Sequence, residues 1–325
     1  MIDARSGGVD AVQGRLRDRL QAFVACAICS ATVFTWAATA PDLAWEPVES
    51  LNADLPAGVR VYSGADPKLP LRAWYVSVAP GRDSHRVEVL VSDDPTDRRE
   101  TVSSFAADTG ACIVINGGYF TMERTPAHHA GLLVIDGVIE APATRSAVRD
   151  EVRYPTARAA LGLTSTGFDI AWATSREGKV LAWAAPPSHR QGTPAQLDPA
   201  TSTPWVVEDA LGGGPALVSK GEVNVATTEE VFFGTAIPYT HPRTAAGITA
   251  DGTLLLLLVD GRQTESRGVR LEELAAIMVD LGAEEALNLD GGGSSSLVVH
   301  GQLLNNPAGR RKEREVMTAL GVFCD

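Results

Sequence analysis

The chain has 325 residues, 45% of them hydrophobic, and a net charge of -12 from 28 Lys and Arg against 40 Asp and Glu. That length and apolar content support a buried core and exclude a fibrous or disordered chain. The acidic balance excludes a general nucleic-acid binder, which needs clustered cations to displace counterions from phosphates. An anionic ligand must therefore be met by a few local arginines.

Residues 1–40 read as an export signal: Arg15, Arg17 and Arg19 precede the apolar run from Ala22 to Ala38. The run ends in Ala38-Thr39-Ala40, the small-x-small pattern of a cleavage site, and Pro41 follows. The alternative is an uncleaved membrane anchor, because the run approaches the roughly 20 residues that span a bilayer. Membrane contact is expected only in that case. Either way residues 41–325 are expected outside the cytoplasm, periplasmic or secreted, as a single catalytic domain. Cys26 and Cys29 fall inside the apolar run, so their spacing is not a redox or zinc signal. Cys112 and Cys324 remain, and two states are open to them. An oxidising compartment permits pairing, while the apolar run opened by Cys112 equally suits a buried free thiol.

From about Val59 onward, short strand-like runs are broken by x-Gly dipeptides, the signal of tight hairpins. Asp136-Gly137, Lys220-Gly221, Asp251-Gly252 and His300-Gly301 are all of this kind. Ala184 to Thr203, rich in Pro, Ser, Gln and Thr, reads as a long surface loop. Helical periodicity is clearest in Leu271, Leu274, Ile277, Met278 and Leu281, stopped by Gly282. The expected class is α+β: a mixed, hairpin-rich β-sheet core with a few flanking helices and one βαβ passage.

That passage runs from the Leu254 to Val259 strand through the helix to a short strand at Ala286 to Leu289. Such a crossover returns the second strand parallel to the first, placing Asp260 and Asp290 at one sheet edge. Loops at the carboxyl ends of parallel strands are where such sheets place ligands. A two-residue turn at Asp251-Gly252 would set Arg243 directly opposite Asp260, with Cβ atoms about 5 Å apart. The segment Arg158 to Gly167 echoes Arg243 to Gly252, and a two-residue turn at Thr166-Gly167 would set Arg158 opposite Ser175. The echo is either chance between alanine-rich hairpins or two quasi-equivalent hairpins that each deliver an arginine.

Asp290 is followed by Gly291-Gly292-Gly293-Ser294-Ser295-Ser296, whose glycines let backbone N–H groups approach an anion and whose hydroxyls add donors. No Lys follows the glycines, so this is not a Walker loop. A second glycine turn, Asn116-Gly117-Gly118-Tyr119-Phe120, offers an amide suited to a sugar hydroxyl and an aromatic face for stacking. A simple bulge with core aromatics is the other reading of it. Gly212-Gly213-Gly214-Pro215 is a third, weak by itself. His241 is an acid, a substrate donor, or a residue merely positioned by Pro242. No metal-ligand spacing occurs outside the leader, so neither a metal nor a cofactor is expected.

The segments Asn116 to Phe120, Gly212 to Pro215, His241-Pro-Arg-Thr244, Asp260-Gly-Arg262 and Asn288-Leu-Asp-Gly-Gly-Gly-Ser-Ser295 occur in that order. Together they resemble the phosphodiester glycosidase family, over most of the chain from about Val59 to Phe323. The resemblance implies hydrolysis of the bond between a sugar's anomeric carbon and a phosphodiester. N-acetylglucosamine is among the candidate sugars. It also implies an active site containing Asn116, Arg243, Asp260, Asp290 and the loop Gly291 to Ser295. The expected catalytic set is Asp290, Asp260, Arg243 and Asn116. The expected substrate contacts are Arg158, Gly117, Gly118, Tyr119, His241, Thr244, Arg262, Asn288, Gly291, Gly292, Gly293, Ser294 and Ser295.

Ordinary glycosidases need one carboxylic acid for the leaving oxygen and one carboxylate as nucleophile or base. A phosphomonoester, with a second pKa of about 6, leaves with less proton donation, and arginines take over part of that work. Arg243 and Arg158 are therefore expected on phosphate, with Arg262 a weaker candidate and Asp290 on the sugar side. Asp260 is either chemical or simply the group that holds Arg243. Two rivals remain: a hydrolase of another exopolysaccharide linkage, and a non-catalytic envelope module that binds phosphorylated glycan.

Overall fold

Local turn chemistry sets most of the architecture. The computed structural model describes residues 41–81, 84–310 and 312–324. In it Asp136-Gly137, Lys220-Gly221 and His300-Gly301 each have both residues at positive φ, between 47° and 75°. This is the type I′ turn, whose twist matches that of the strands it joins. Strands dominate, gathered into an eight-stranded, a seven-stranded and a five-stranded sheet beside a separate two-stranded ribbon. The ribbon joins Ser146–Arg149 to Val152–Pro155 through Asp150-Glu151, also at positive φ but without glycine, so no dipeptide signal announces it. The stretch from Ala184 to Thr203 is largely irregular, as its composition predicts.

The strand Leu254–Val259 is buried along its whole length, because the eight-stranded sheet is covered on both faces. Leu254, Leu256 and Leu258 enter a core shared with the other two sheets, where Ile113, Leu161, Leu211 and Leu320 also pack. Leu255, Leu257 and Val259 point the other way, against Leu271, Leu274, Ile277 and Met278. Those four lie on the helix Leu271–Asp280, which ends as expected before Gly282 at φ 89°. Period 2 on the strand and period 3.6 on the helix thus meet at one interface.

The βαβ passage is present with one modification. Leu254–Val259 and Ala283–Asn288 are both antiparallel to Arg243–Thr249, which lies between them. They are therefore parallel to each other without being neighbours, and their carboxyl ends share one edge of the sheet.

The expected register of the first hairpin is wrong by one residue. Arg243 pairs with Val259, not Asp260, because the turn holds three residues, Ala250 to Gly252, between Thr249 and Thr253. Asp251 accepts hydrogen bonds from the Thr249 hydroxyl and the Thr253 N–H, which favours a type I turn closed by Gly252 at φ 84°. A slip of one residue sends a side chain to the opposite face, so Asp260 does not face Arg243. The second hairpin also differs: its turn is Ser165-Thr166, and Arg158 pairs with Ala173, not Ser175.

Cys112 and Cys324 form a disulfide across a sequence separation of 212 residues. In the chain-entropy model a closure of that length stabilises the fold by roughly 5 kcal/mol. Among the described residues no helix is long and apolar enough to cross a membrane. The segment assigned to export, residues 1–40, lies outside the described residues.

Candidate active site

Three glycine turns converge, each at the end of a strand: Ile113–Asn116, Asp209–Gly212 and Ala283–Asn288. The Asp290 N–H donates to Gly117 O at 3.1 Å, and the Gly214 N–H to Asn288 O at 2.7 Å. A Cβ on Gly118 would strike Gly212 O and lie 2.6 Å from His129 Nε2, so the first two turns touch with no room for side chains. The turn at Gly212–Gly214, weak as a sequence signal, is thus a structural member of the group.

Polar side chains lock this junction. Asn116 is fully buried. Its Nδ2 donates to Asp290 O at 2.7 Å, and its Oδ1 accepts from the Thr244 hydroxyl at 2.7 Å and the Ser296 N–H at 3.2 Å. Thr244 Oγ1 is also 3.2 Å from Ser295 Oγ. Asn288 donates to Tyr119 Oη at 2.6 Å, and Tyr119 Oη donates to Gly214 O at 3.0 Å. Gly117 and Gly118 donate to the backbone and hydroxyl of Thr318. Asn116, Thr244, Asn288, Ser294 and Ser295 are buried. They frame the loop that carries Asp290 and do not line the cavity beside it.

That cavity, about 190 Å³, is lined by Tyr119, His241, Arg243, Arg262, Asp290, Arg314 and the glycines Gly291 to Gly293, with Ala236 and Ile237 at one side. Asp290 is its only carboxylate among the described residues. Burial pushes the Asp290 carboxyl up to about 6, against a weaker pull from the Ser294 hydroxyl, the Gly291 N–H and Arg314. The loop bends because Gly292 takes φ 66°, where its N–H donates to Pro242 O at 2.8 Å.

Two guanidinium groups cover this loop. A Cβ on Gly293 would lie 2.6 Å from Arg314 Nη2, and one on Gly292 would lie 3.3 Å from Arg262 Nη2. Arg262 itself holds φ 60°, a conformation that bulky residues rarely adopt and that concentrates at functional sites. Its Nη2 donates to His241 Nδ1 at 2.9 Å, so the proton of His241 sits on Nε2, facing Ala236 O at 2.9 Å. Burial, with Arg243 and Arg262 nearby, lowers the pKa of His241. Both the hydrogen bond from Arg262 and the lowered pKa favour the neutral form of the His241 ring.

The other predicted charges have different work. Arg243 is buried, with Nε donating to Val269 O at 3.1 Å and Nη2 to Ile237 O at 2.7 Å and to Tyr239 O. Only Nη1, 3.5 Å from Asn288 Oδ1, is left toward the cavity. Asp260 accepts from Asn305 Nδ2 at 3.0 Å and the Asn306 N–H at 3.2 Å, behind the loop and outside the cavity lining. Arg158 is also outside that lining: its guanidinium lies 4.2 Å from the Phe232 ring centroid, and its Nε donates to Glu230 O.

Sequence reasoning missed Arg314, Asn305 and Glu230. Asn305 ties the loop to its support, donating to Ser295 O at 2.9 Å as well as to Asp260. Glu230 is fully buried, and burial lifts its carboxyl to about 7. It accepts from the N–H groups of Ala159 and Ala216 and from Trp172 Nε1. Nothing in the local sequence of these three distinguishes them from ordinary loop polars.

The same arrangement of strands recurs in solved structures. The catalytic domain of zebrafish N-acetylglucosamine-1-phosphodiester alpha-N-acetylglucosaminidase, auto-inhibited by its pro-peptide, superposes with a TM-score of 0.58 at 22% identity, covering 89% of this chain and 85% of that one. A putative exported protein from Burkholderia pseudomallei superposes at 0.56 with 20% identity, over 80% of this chain and 74% of its own. In sequence, the bovine N-acetylglucosamine-1-phosphodiester alpha-N-acetylglucosaminidase is 30% identical over 220 residues, 65% of this chain and 35% of its own length. The chain thus spans about a third of that curated relative. The family model for phosphodiester glycosidase matches residues 109–323, which contain every residue of the cavity. With its glycine turns, its Asp290 loop and most of its sheets inside that match, the chain belongs to the phosphodiester glycosidase family.

Proposed function

We propose that this chain is an exported hydrolase that cleaves the bond between the anomeric carbon of a sugar and a phosphodiester, with N-acetylglucosamine the first sugar to test. The observation that carries this reading is a cavity lined, among the described residues, by one carboxylate, Asp290, and three arginines, two of which, Arg262 and Arg314, lie over the glycine loop. Cleavage of an ordinary glycosidic bond calls for two carboxylates, one of them protonating the leaving alcohol. A phosphate leaving group has a second pKa of about 6 and needs charge neutralisation more than a proton. Arg262 and Arg314 supply that at the departing oxygens. Asp290, ionised, then acts at the anomeric carbon as nucleophile or general base. Tyr119, held by Asn288 and Gly214, borders the sugar side.

This reading goes with an export signal over residues 1–40 and a single α+β catalytic domain over residues 41–325. Export is supported by Arg15 to Arg19 ahead of the run Ala22 to Ala38. The test compares the methyl diester of N-acetylglucosamine 1-phosphate with a nitrophenyl N-acetylglucosaminide. The diester is expected to be cleaved with kcat/KM about 10²-fold higher, because the arginines have no charge to meet in the aryl glycoside. Equal or faster cleavage of the aryl glycoside would sink the proposal.

A further inference from the structure

Beside the cavity lies a second groove of about 240 Å³, and the two share Arg262, Gly293 and Arg314 as lining residues. The groove adds Arg310 and Lys312, both exposed. Neither forms an ion pair among the described residues. Its one carboxylate among the described residues, Glu313, is already engaged. It accepts from the Ser103 N–H at 3.1 Å and the Ser103 hydroxyl at 2.5 Å, at the start of the helix Val102–Thr109. Four cations therefore line a path that leaves the cavity on its arginine side, in a chain whose net charge is -12. On an acidic protein such a local cluster concentrates anions where the rest of the surface repels them.

We infer that this groove is a leaving-group subsite for a second anionic group, so that the preferred substrate is a diester whose alcohol portion itself carries phosphate. The inference rests on the proposed cleavage at Asp290, since that reading puts the scissile phosphate at Arg262 and Arg314. From there the alcohol portion has a basic exit past Gly293 toward Arg310 and Lys312. A repeating sugar-phosphate chain presents its next charge along such a path. The groove is concave and shares Arg262, Gly293 and Arg314 with the cavity, which suits a chain running from one to the other better than a flat anionic membrane.

The test uses the full chain and two substrates: N-acetylglucosamine 1-phosphate esterified to glycerol, and the same compound with a phosphate on the glycerol. Wild-type protein is expected to prefer the phosphorylated substrate by about 10-fold in kcat/KM at low salt, with the difference in KM and much reduced at 0.5 M salt, since exposed pairs are screened. Arg310→Ala/Lys312→Ala is expected to abolish the preference while leaving the glycerol diester unaffected. Cleavage of the glycerol diester with no preference in wild type would overturn the inference alone. So would a preference that survives the double substitution. Failure to cleave either substrate would instead overturn the reading of the cavity, and the inference with it. Anionic lipid vesicles form the last arm. If Arg310 and Lys312 were needed for vesicle binding but gave no preference between the free substrates, the groove would be a membrane contact and not a subsite.

Discussion

Asp290→Asn is expected to lower kcat/KM on a sugar-1-phosphodiester by about 10³-fold, the scale for loss of a positioned acid–base or nucleophilic group. The fold should survive, because an Asn oxygen still accepts the Gly291 N–H, and Asn116 Nδ2 holds the backbone carbonyl of residue 290 rather than its side chain. The pH profile carries the same claim. In the proposed mechanism Asp290 acts ionised, and burial raises it from 3.8 to about 6, so activity should be low below that value and rise through it. Stability runs the other way. Because the folded pKa exceeds the unfolded one, the folded state binds the proton more tightly between 3.8 and 6. This group therefore favours folding as pH falls through that window and opposes it above. Thermal melts of Asp290→Asn at neutral pH should then match or exceed those of the parent. A variant that kept wild-type turnover would remove Asp290 from the chemistry.

Arg314→Ala and Arg262→Ala should each lower kcat/KM by about 10²-fold, in the range found when one preorganised donor to a developing anion is removed. Lysine should restore only part of the loss at either position, since a point charge does not reproduce a planar fork. Arg243→Ala should behave differently. Its guanidinium holds three backbone carbonyls, that of Val269 buried and those of Ile237 and Tyr239 partly buried, so its removal leaves acceptors unpaired and lowers thermal stability together with activity. Steady-state kinetics with melts on all three variants separate the two patterns. If Arg243→Ala kept its stability but lost only turnover, while Arg262→Ala and Arg314→Ala turned over normally, the phosphate would belong to Arg243.

The contrast between these arginines shows what was legible in the sequence. The hairpins at Asp136, Lys220 and His300, the helix at Leu271 and the shared edge of Asp260 and Asp290 all follow from dipeptide chemistry and periodicity. Such signals are local, and the fold agrees with them. The pairing of Arg243 with Asp260 failed because Asp-Gly fits two turns, a two-residue type I′ and a three-residue type I closed by glycine. The side-chain bonds of Asp251 and Thr249 choose between these, and one residue of difference reverses the face. Arg314 was invisible for another reason. It sits inside a polar run, Arg310 to Glu315, that reads as solvated surface, and only the absence of a side chain at Gly293 lets its guanidinium fold over the loop. Asn116 was visible as a residue but not in its work, because its partners, Thr244, Asp290 and Ser296, lie more than a hundred residues away.

The central claim is that the bond from the anomeric carbon to oxygen breaks, and not the bond from phosphorus to oxygen. Hydrolysis of the methyl diester of N-acetylglucosamine 1-phosphate in ¹⁸O-labelled water decides it by mass spectrometry. The label is expected in the released sugar, with the methyl phosphate unlabelled, because Asp290 directs water or its own attack to carbon while the arginines only accommodate the departing phosphate. Label in the phosphate product would make this chain a phosphodiesterase and contradict the account.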